Sequence, residues 1–265
     1  MALERLRLDG QVALITGGGR GIGRGIASVL SEAGAAVVVT ARSPDEVQDT
    51  AEMIRSRGGR ALAVQADVTN RSDNERAVQA ALDEFGQLDI LVNNAGGSSG
   101  AMPMAQLTGE LLRADLELNM LSAFTLTQIA APHLAKSGGG SVINISSRAG
   151  SFAAPGRLQY GVAKAALEHL TRLMAQELAP DIRVNAIAVG TVMTDALQRG
   201  FAQGGGLEDL TSKIPLSRLG DVEDIGLTAL YFCAQGCYVT GIVLPVDGGL
   251  QASPGILSPR RVASR

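Results

Sequence analysis

The sequence predicts a single doubly wound α/β domain: a seven-stranded parallel sheet with helices on both faces. Three observations predict it. Short, nearly all-apolar runs recur seven times along the 265 residues. Between them lie amphipathic stretches with the 3.6-residue rhythm of helices. Strands that are apolar throughout, rather than alternating, suit parallel strands covered on both faces by helical crossovers. Finally, 46% of the residues are apolar and 33 are glycine, enough for a large core and for close backbone packing.

The elements follow in order. Gln11–Thr16 (QVALIT) is the first strand, and GIGRGIASVLSEAG is a helix closed by Gly34. Ala35–Thr40 is the second strand. Pro44, suited to a first helical turn, opens a helix that ends near Arg57–Gly59. ALAVQAD is the third strand, followed by a helix over Arg71–Phe85. LDILVNNAG supplies the fourth strand, and one long helical tract spans roughly Leu107–Ala135. GSVINISS is the fifth strand, and the helix around Tyr160 runs to about Ala179. IRVNAIAV is the sixth strand, a helix covers about Val222–Ala234, and GIVLPVDGG carries the seventh strand. The domain occupies residues 1–250, with no internal linker or repeat, and 251–265 reads as a tail.

Composition excludes several classes. The net charge is −3 and no basic stripe appears, so nucleic acid is not an expected partner. No run approaches the ~18 apolar residues of a membrane span, and the first ten residues lack the apolar centre of a signal peptide. Cys233 and Cys237 are the only cysteines and have no neighbouring Cys/His cluster, so they read as reduced core thiols of a cytosolic protein. His133 and His169 lie in different helices without an evident partner, and no metal is expected.

TGGGRGIG (Thr16–Gly23) lies between the first strand and the first helix. Glycines there let the backbone turn sharply and approach a pyrophosphate resting on the helix N-terminus. Turns also collect glycine for steric reasons alone; it is the strand-before, helix-after context that points to a dinucleotide. A second signal is LQYGVAKAALEHL, which sets Tyr160 and Lys164 one helical turn apart on one face. A phenol has a pKa near 10 and is a poor acid or base at neutral pH. A cation beside it favours the phenolate, and a shift of ~3 units corresponds to about 4 kcal/mol. An amphipathic helix with two side chains reaching for solvent would leave the same pair.

Gly17, Gly21 and Gly23 give the spacing G-x-x-x-G-x-G. With NNAG (Asn93–Gly96), NISS (Asn144–Ser147), Tyr160-x-x-x-Lys164 and the Asp67-Val68 pair, in that family's order and spacing, the chain resembles the short-chain dehydrogenase/reductase family over about residues 8–250. The resemblance implies a Rossmann-type fold and reversible hydride transfer between a nicotinamide cofactor and a carbonyl or secondary alcohol. It implies Tyr160 as the proton donor and acceptor, Ser147 as the residue that orients the substrate oxygen, Lys164 as a ligand of the nicotinamide ribose, and Asn119 as the holder of a proton-relay water. Cofactor contacts are implied for Gly17, Gly19, Arg20, Gly21, Ile22, Gly23, Asp67, Val68, Asn94, Ala95, Gly96, Tyr160, Lys164, Gly190, Val192 and Thr194. In AVGTVMT, Val189 stands where the family has Pro, which leaves φ unlocked there.

NAD users carry an acid at the end of the second strand to accept from the ribose 2′-OH. Ala41 stands there, followed by Arg42, and Arg20 lies in the glycine-rich loop. Two guanidinium groups suit a 2′-phosphate, so NADP(H) is favoured over NAD(H). Residues 193–215, with three glycines at Gly204–Gly206, read as a substrate lid; Met193, Leu197, Phe201 and Leu207 suggest an apolar, steroid-, acyl- or small-ketone-like substrate. Gly96–Met104 and Ser151–Arg157, with Phe152 and Leu158, are the other expected walls. The two long helices are expected to pair into a homo-oligomer, a tetramer or dimer. A non-catalytic NADP(H)-binding regulator would keep the loop but has no use for the Ser–Tyr–Lys set.

Overall fold

The computed structural model describes residues 2–194, 197–198 and 207–250. Seven parallel strands, β1 (Val12–Thr16), β2 (Ala36–Ala41), β3 (Ala61–Gln65), β4 (Ile90–Asn93), β5 (Gly140–Ser147), β6 (Ile182–Val189) and β7 (Val243–Val246), form one sheet in the order 3-2-1-4-5-6-7. The helices are α1 (Gly21–Glu32), α2 (Pro44–Ser56), α3 (Arg71–Phe85), α4 (Gly109–Leu116), α5 (Ser122–Lys136), α6 (Leu158–Glu177), α7 (Leu207–Ser212) and α8 (Val222–Cys233).

The pleat sorts neighbouring strand residues into two cores. On one face Ala13, Ile15, Val37, Val39, Ile90, Val92 and Ile187 pack under Ile26 and Leu30 of α1, Val47 and Ile54 of α2, and Ile225 and Phe232 of α8. On the other, Val12, Leu14, Val38, Leu91, Val142 and Val184 pack under Val78 of α3, Leu126 and Leu134 of α5, and Met174 of α6. Burial on both faces is why β1, β2, β4, β5 and β6 read as unbroken apolar runs, whereas the edge strands β3 and β7 are only partly buried. The helices α1 and α8 approach unusually closely. A Cβ built on Gly25 would lie 2.6 Å from Val222 Cβ, and one on Gly226 would lie 2.6 Å from Val29 Cγ2.

The expected helix over Leu107–Ala135 is not continuous. Thr108 caps α4 through a hydrogen bond from Leu111 N, and Glu117–Leu121 widens into a π turn between α4 and α5. Asn119, inside that turn, donates from Nδ2 to Asp115 O and Gly97 O, each at 2.8 Å. Thus the side chain that interrupts the helix also ties it to the turn after β4. The glycines at 204–206 and the tail at 251–265 lie outside the described residues, as do 195, 196 and 199–206 of the expected lid. No helix among the described residues is long and apolar enough to cross a membrane.

Candidate active site

The strand order reverses between β1 and β4, and a doubly wound sheet opens a crevice at the carboxyl edge of such a switch point. A cleft of about 560 Å³ lies there. Its floor and walls come from the loop after β1, the ends of β2, β3 and β5, the turn after β4, α6 and the segment after β6.

The glycine-rich loop is held from behind. Gly17 and Gly21 have φ of +61° and +51°, a region costly for residues with a Cβ. Asn94 Nδ2 donates to Thr16 O (2.8 Å) and Gly17 O (3.1 Å), while Thr16 Oγ1 accepts from Asn94 N (3.0 Å) and Ala95 N (2.9 Å). A Cβ on Gly23 would strike the Gly17 carbonyl and the Asn94 amide. Arg24, from the first turn of α1, donates to Gly19 O from Nε (3.0 Å) and Nη2 (2.6 Å). Arg20 caps α1 without a side-chain hydrogen bond, so the helix N-terminus presents open N–H donors among residues that line the cleft. A loop that admits no Cβ at Gly17, Gly18, Gly19 or Gly23, with the Gly17 and Gly19 carbonyls tied back, fits the diphosphate of a dinucleotide.

At the far end of the cleft, Asp67 Oδ1 accepts from Thr69 N (3.0 Å) and Thr69 Oγ1 (2.7 Å), which fixes its carboxylate beside Val68. Arg42 lines this end and forms no ion pair among the described residues. Arg20 Nη1 lies 3.4 Å from Glu46 Oε1.

At the near end, Ser147 closes β5, and Tyr160 and Lys164 stand one turn apart on α6; all three line the cleft. Lys164 Nζ donates to Ile145 O (2.8 Å) and sits 5.7 Å from the centroid of the Tyr160 ring. Burial pushes the Lys164 ammonium down to about 8, opposed by the charge of Glu168 one turn further along. Burial pushes the Tyr160 phenol up, against a hydrogen bond with Ser147 and the charge of Arg157, with Asp115 adding to the rise. Against the expectation that the neighbouring cation favours the phenolate, the phenol of the chain alone is raised. The ammonium is engaged with a backbone carbonyl over the ring face, and desolvation outweighs every favourable charge.

Glu168 is buried. Its Oε1 accepts from Ser146 Oγ (2.9 Å) and its Oε2 from Ser151 Oγ (3.0 Å), bolting α6 to the end of β5 and to the turn beyond it. Gln159, also buried, donates from Nε2 to Gly100 O (2.7 Å) and Ser99 Oγ (3.3 Å), and Asp115 Oδ1 accepts from Ser99 N (3.2 Å). Met102 N donates to Gly156 O (3.1 Å), so the two expected substrate walls are joined to each other. Leu158 and Phe152 are each 40% exposed, with Arg148 over the Phe152 ring at 4.3 Å.

Most sequence-selected residues meet in this cleft: Gly17, Gly19, Arg20, Gly21, Ile22, Gly23, Arg42, Asp67, Val68, Asn94, Ala95, Gly96, Ser147, Tyr160, Lys164, Gly190 and Thr194. Two do not line it. Asn119 lies behind Gly96, and its Oδ1 accepts from Gly97 N (3.0 Å). Val192 is buried and lines a neighbouring crevice with Thr191 and Gly220. Val189, where φ is unlocked, is held by sheet pairing to Ser147 on one side and Val246 on the other. Sequence reasoning missed Arg24, Glu46 and Glu168. Arg24 carried a signal, since a cation in a first helical turn opposes the helix dipole and needs a specific partner.

A family model described as enoyl-(acyl carrier protein) reductase matches residues 17–251. The chain is 45% identical to an uncharacterized oxidoreductase of Mycobacterium tuberculosis, covering 94% of this chain and 95% of that one. It is 39% identical to the 7α-hydroxysteroid dehydrogenase of Escherichia coli, covering 93% and 96%. A solved structure of a 7α-hydroxysteroid dehydrogenase complexed with NADH and 7-oxo glycochenodeoxycholic acid superposes with a TM-score of 0.87 at 38% identity, covering 93% of this chain and 96% of that one.

Proposed function

The chain belongs to the short-chain dehydrogenase/reductase family of oxidoreductases, and from that premise we propose that it moves hydride between NADP(H) and the ketone or secondary alcohol of an apolar substrate. What supports the reading most is that Ser147, Tyr160 and Lys164 line the same cleft as the glycine-rich loop. The similarity to a 7α-hydroxysteroid dehydrogenase supports a ring ketone among apolar substrates.

The bound nicotinamide would supply or accept the hydride. It would be held by the Gly17–Gly23 cradle, Asp67, Val68, the turn at Asn94–Gly96, and Gly190 with Thr194. The chain's residues do the rest. Ser147 donates a hydrogen bond to the substrate oxygen and fixes its direction. Tyr160 gives that oxygen a proton in reduction and removes it in oxidation. A phenol held high by burial is protonated at neutral pH, which suits the donor role. Lys164, aligned by Ile145 O, keeps positive charge at the ring face and lowers the cost of a transient phenolate. Asn119 holds the Gly97 backbone, and with it the turn beside Lys164.

The 2′-phosphate preference rests on Ala41 in place of an acid, with Arg20 and Arg42 at that end of the cleft. Pairing of copies through α5 and α6 is supported by the exposed Phe124, Val162 and Leu173 on those helices. The test is Tyr160→Phe with a panel of ketones and NADPH. Turnover should fall by roughly 10²–10⁴-fold, while cofactor affinity measured by fluorescence changes little. Wild-type turnover in that variant refutes the proton role.

A further inference from the structure

Two guanidinium groups reach the adenosine end of the cleft, and they differ in one respect. Arg42 has no ion pair among the described residues, whereas Arg20 Nη1 lies 3.4 Å from Oε1 of Glu46. Glu46 belongs to the first turn of α2, where its N–H donates to Oγ of the capping Ser43 (3.4 Å). A carboxylate there suits the helix dipole, but the dipole does not direct it toward Arg20. Packing does. A Cβ built on Gly19 would lie 2.8 Å from Glu46 Cβ, so the start of α2 rests against the glycine-rich loop. Glu46 thereby lines the cleft alongside Arg20, Arg42 and Ser43.

We propose that Glu46 is a cofactor-selectivity residue: its carboxylate neutralises Arg20 in the free protein and must be displaced by a 2′-phosphate. The inference rests on the 2′-phosphate reading above and adds a residue that works against it. The side chains of Arg20 and Glu46 are 61% and 38% exposed, so the pair is screened and opens readily. Even when displaced, Glu46 stays near the bound phosphate, because the start of α2 packs against the glycine-rich loop, and like charges at short range repel. A dinucleotide without the 2′-phosphate makes no demand on Arg20 and leaves the pair intact.

The experiment is calorimetric titration of the whole protein with 2′,5′-ADP, 5′-ADP, NADPH and NADH, comparing wild type, Glu46→Gln and Arg42→Ala. Glu46→Gln keeps the shape of the side chain and removes its charge. It should bind 2′,5′-ADP and NADPH about three- to tenfold tighter at low salt, with the gain shrinking as salt screens the charge. Affinity for 5′-ADP and NADH should not move. If Glu46→Gln instead weakens NADH, the carboxylate accepts from the ribose hydroxyls and the proposal is overturned. If Glu46→Gln changes nothing while Arg42→Ala selectively weakens 2′,5′-ADP, the Glu46 role falls and the 2′-phosphate reading stands. If Arg42→Ala affects phosphorylated and unphosphorylated nucleotides alike, the 2′-phosphate reading falls and takes the Glu46 role with it.

Discussion

Lys164 should make the protein more stable as the pH rises from neutrality, a direction opposite to the alkaline weakening usual for paired lysines. The side chain is 3% exposed, and burial holds its ammonium at about 8, against an ordinary 10.5. Between those values the unfolded chain still binds the proton that the folded chain has released. The slope of unfolding free energy with pH is set by the difference in bound protons, so stability rises across this window. Below about pH 8 both states are protonated and the full penalty applies, about 3 kcal/mol at 1.36 kcal/mol per unit. Moving from pH 7 to pH 9.5 recovers about 2 kcal/mol of it.

The comparison that isolates this effect is wild type against Lys164→Met, which keeps the stem and removes the charge. Methionine also leaves Ile145 O without its donor, a loss of about 1–3 kcal/mol that does not depend on pH. Titrating groups that do not interact with Lys164 are common to both proteins and cancel. Urea unfolding at pH 7, 8.5 and 9.5 should show the difference between the two shifting by about 2 kcal/mol in favour of wild type. Parallel pH profiles would mean that Lys164 is solvated like a surface lysine, and the reasoning about its burial would be wrong.

Glu168→Gln removes the charge that lifts Lys164, so the alkaline gain in stability should begin at lower pH than in wild type, read by the same unfolding series. Asn144→Leu should destabilise the fold by about 2–4 kcal/mol in urea. Asn144 Oδ1 accepts from Asn93 (2.9 Å) and its Nδ2 donates to Thr171 (2.9 Å), both fully inside the protein. Gly23→Ala should lower the unfolding midpoint and weaken dinucleotide binding at least about tenfold, because the Gly17 backbone and the Asn94 amide must move to admit the methyl group. Unaltered affinity in calorimetry would show that the cradle is not where the diphosphate rests.

The five inner strands were legible because parallel strands buried on both faces leave unbroken apolar runs, and the partly buried edge strands β3 and β7 were legible as short apolar runs bounded by a helix or a turn. The boundaries of β5 and β6 match the sequence reading to the residue. The Leu107–Ala135 tract failed for a different reason. Periodicity detects which residues face the core, not whether the backbone bonds to the fourth or fifth residue back. The π turn at Glu117–Leu121 keeps the same face inward while it aims Asn119 at Gly97. Only the placement of an Asn in an apolar helix hinted at it, since a buried amide needs partners. Glu168 carried a comparable hint: it follows Lys164 by four residues and so shares its helix face.

The reading of Tyr160 shows most clearly what spacing cannot supply. A separation of four residues fixes geometry, and the structure returns that geometry: phenol and ammonium on one face of α6, 5.7 Å from Nζ to ring centroid. The energetic consequence depends on dielectric surroundings, which spacing does not encode. The same packing that brings the pair together strips water from both, raising the phenol and lowering the ammonium. Desolvation disfavours each charged form separately, while their mutual attraction favours only the doubly charged state. A buried Tyr–Lys pair is thus held near its neutral and singly charged forms. Glu168 then has a definite electrostatic task, because its charge favours a protonated Lys164 where burial opposes it. The protonation of Lys164 is accordingly set by its burial and by a charge at 168 that the motif does not name.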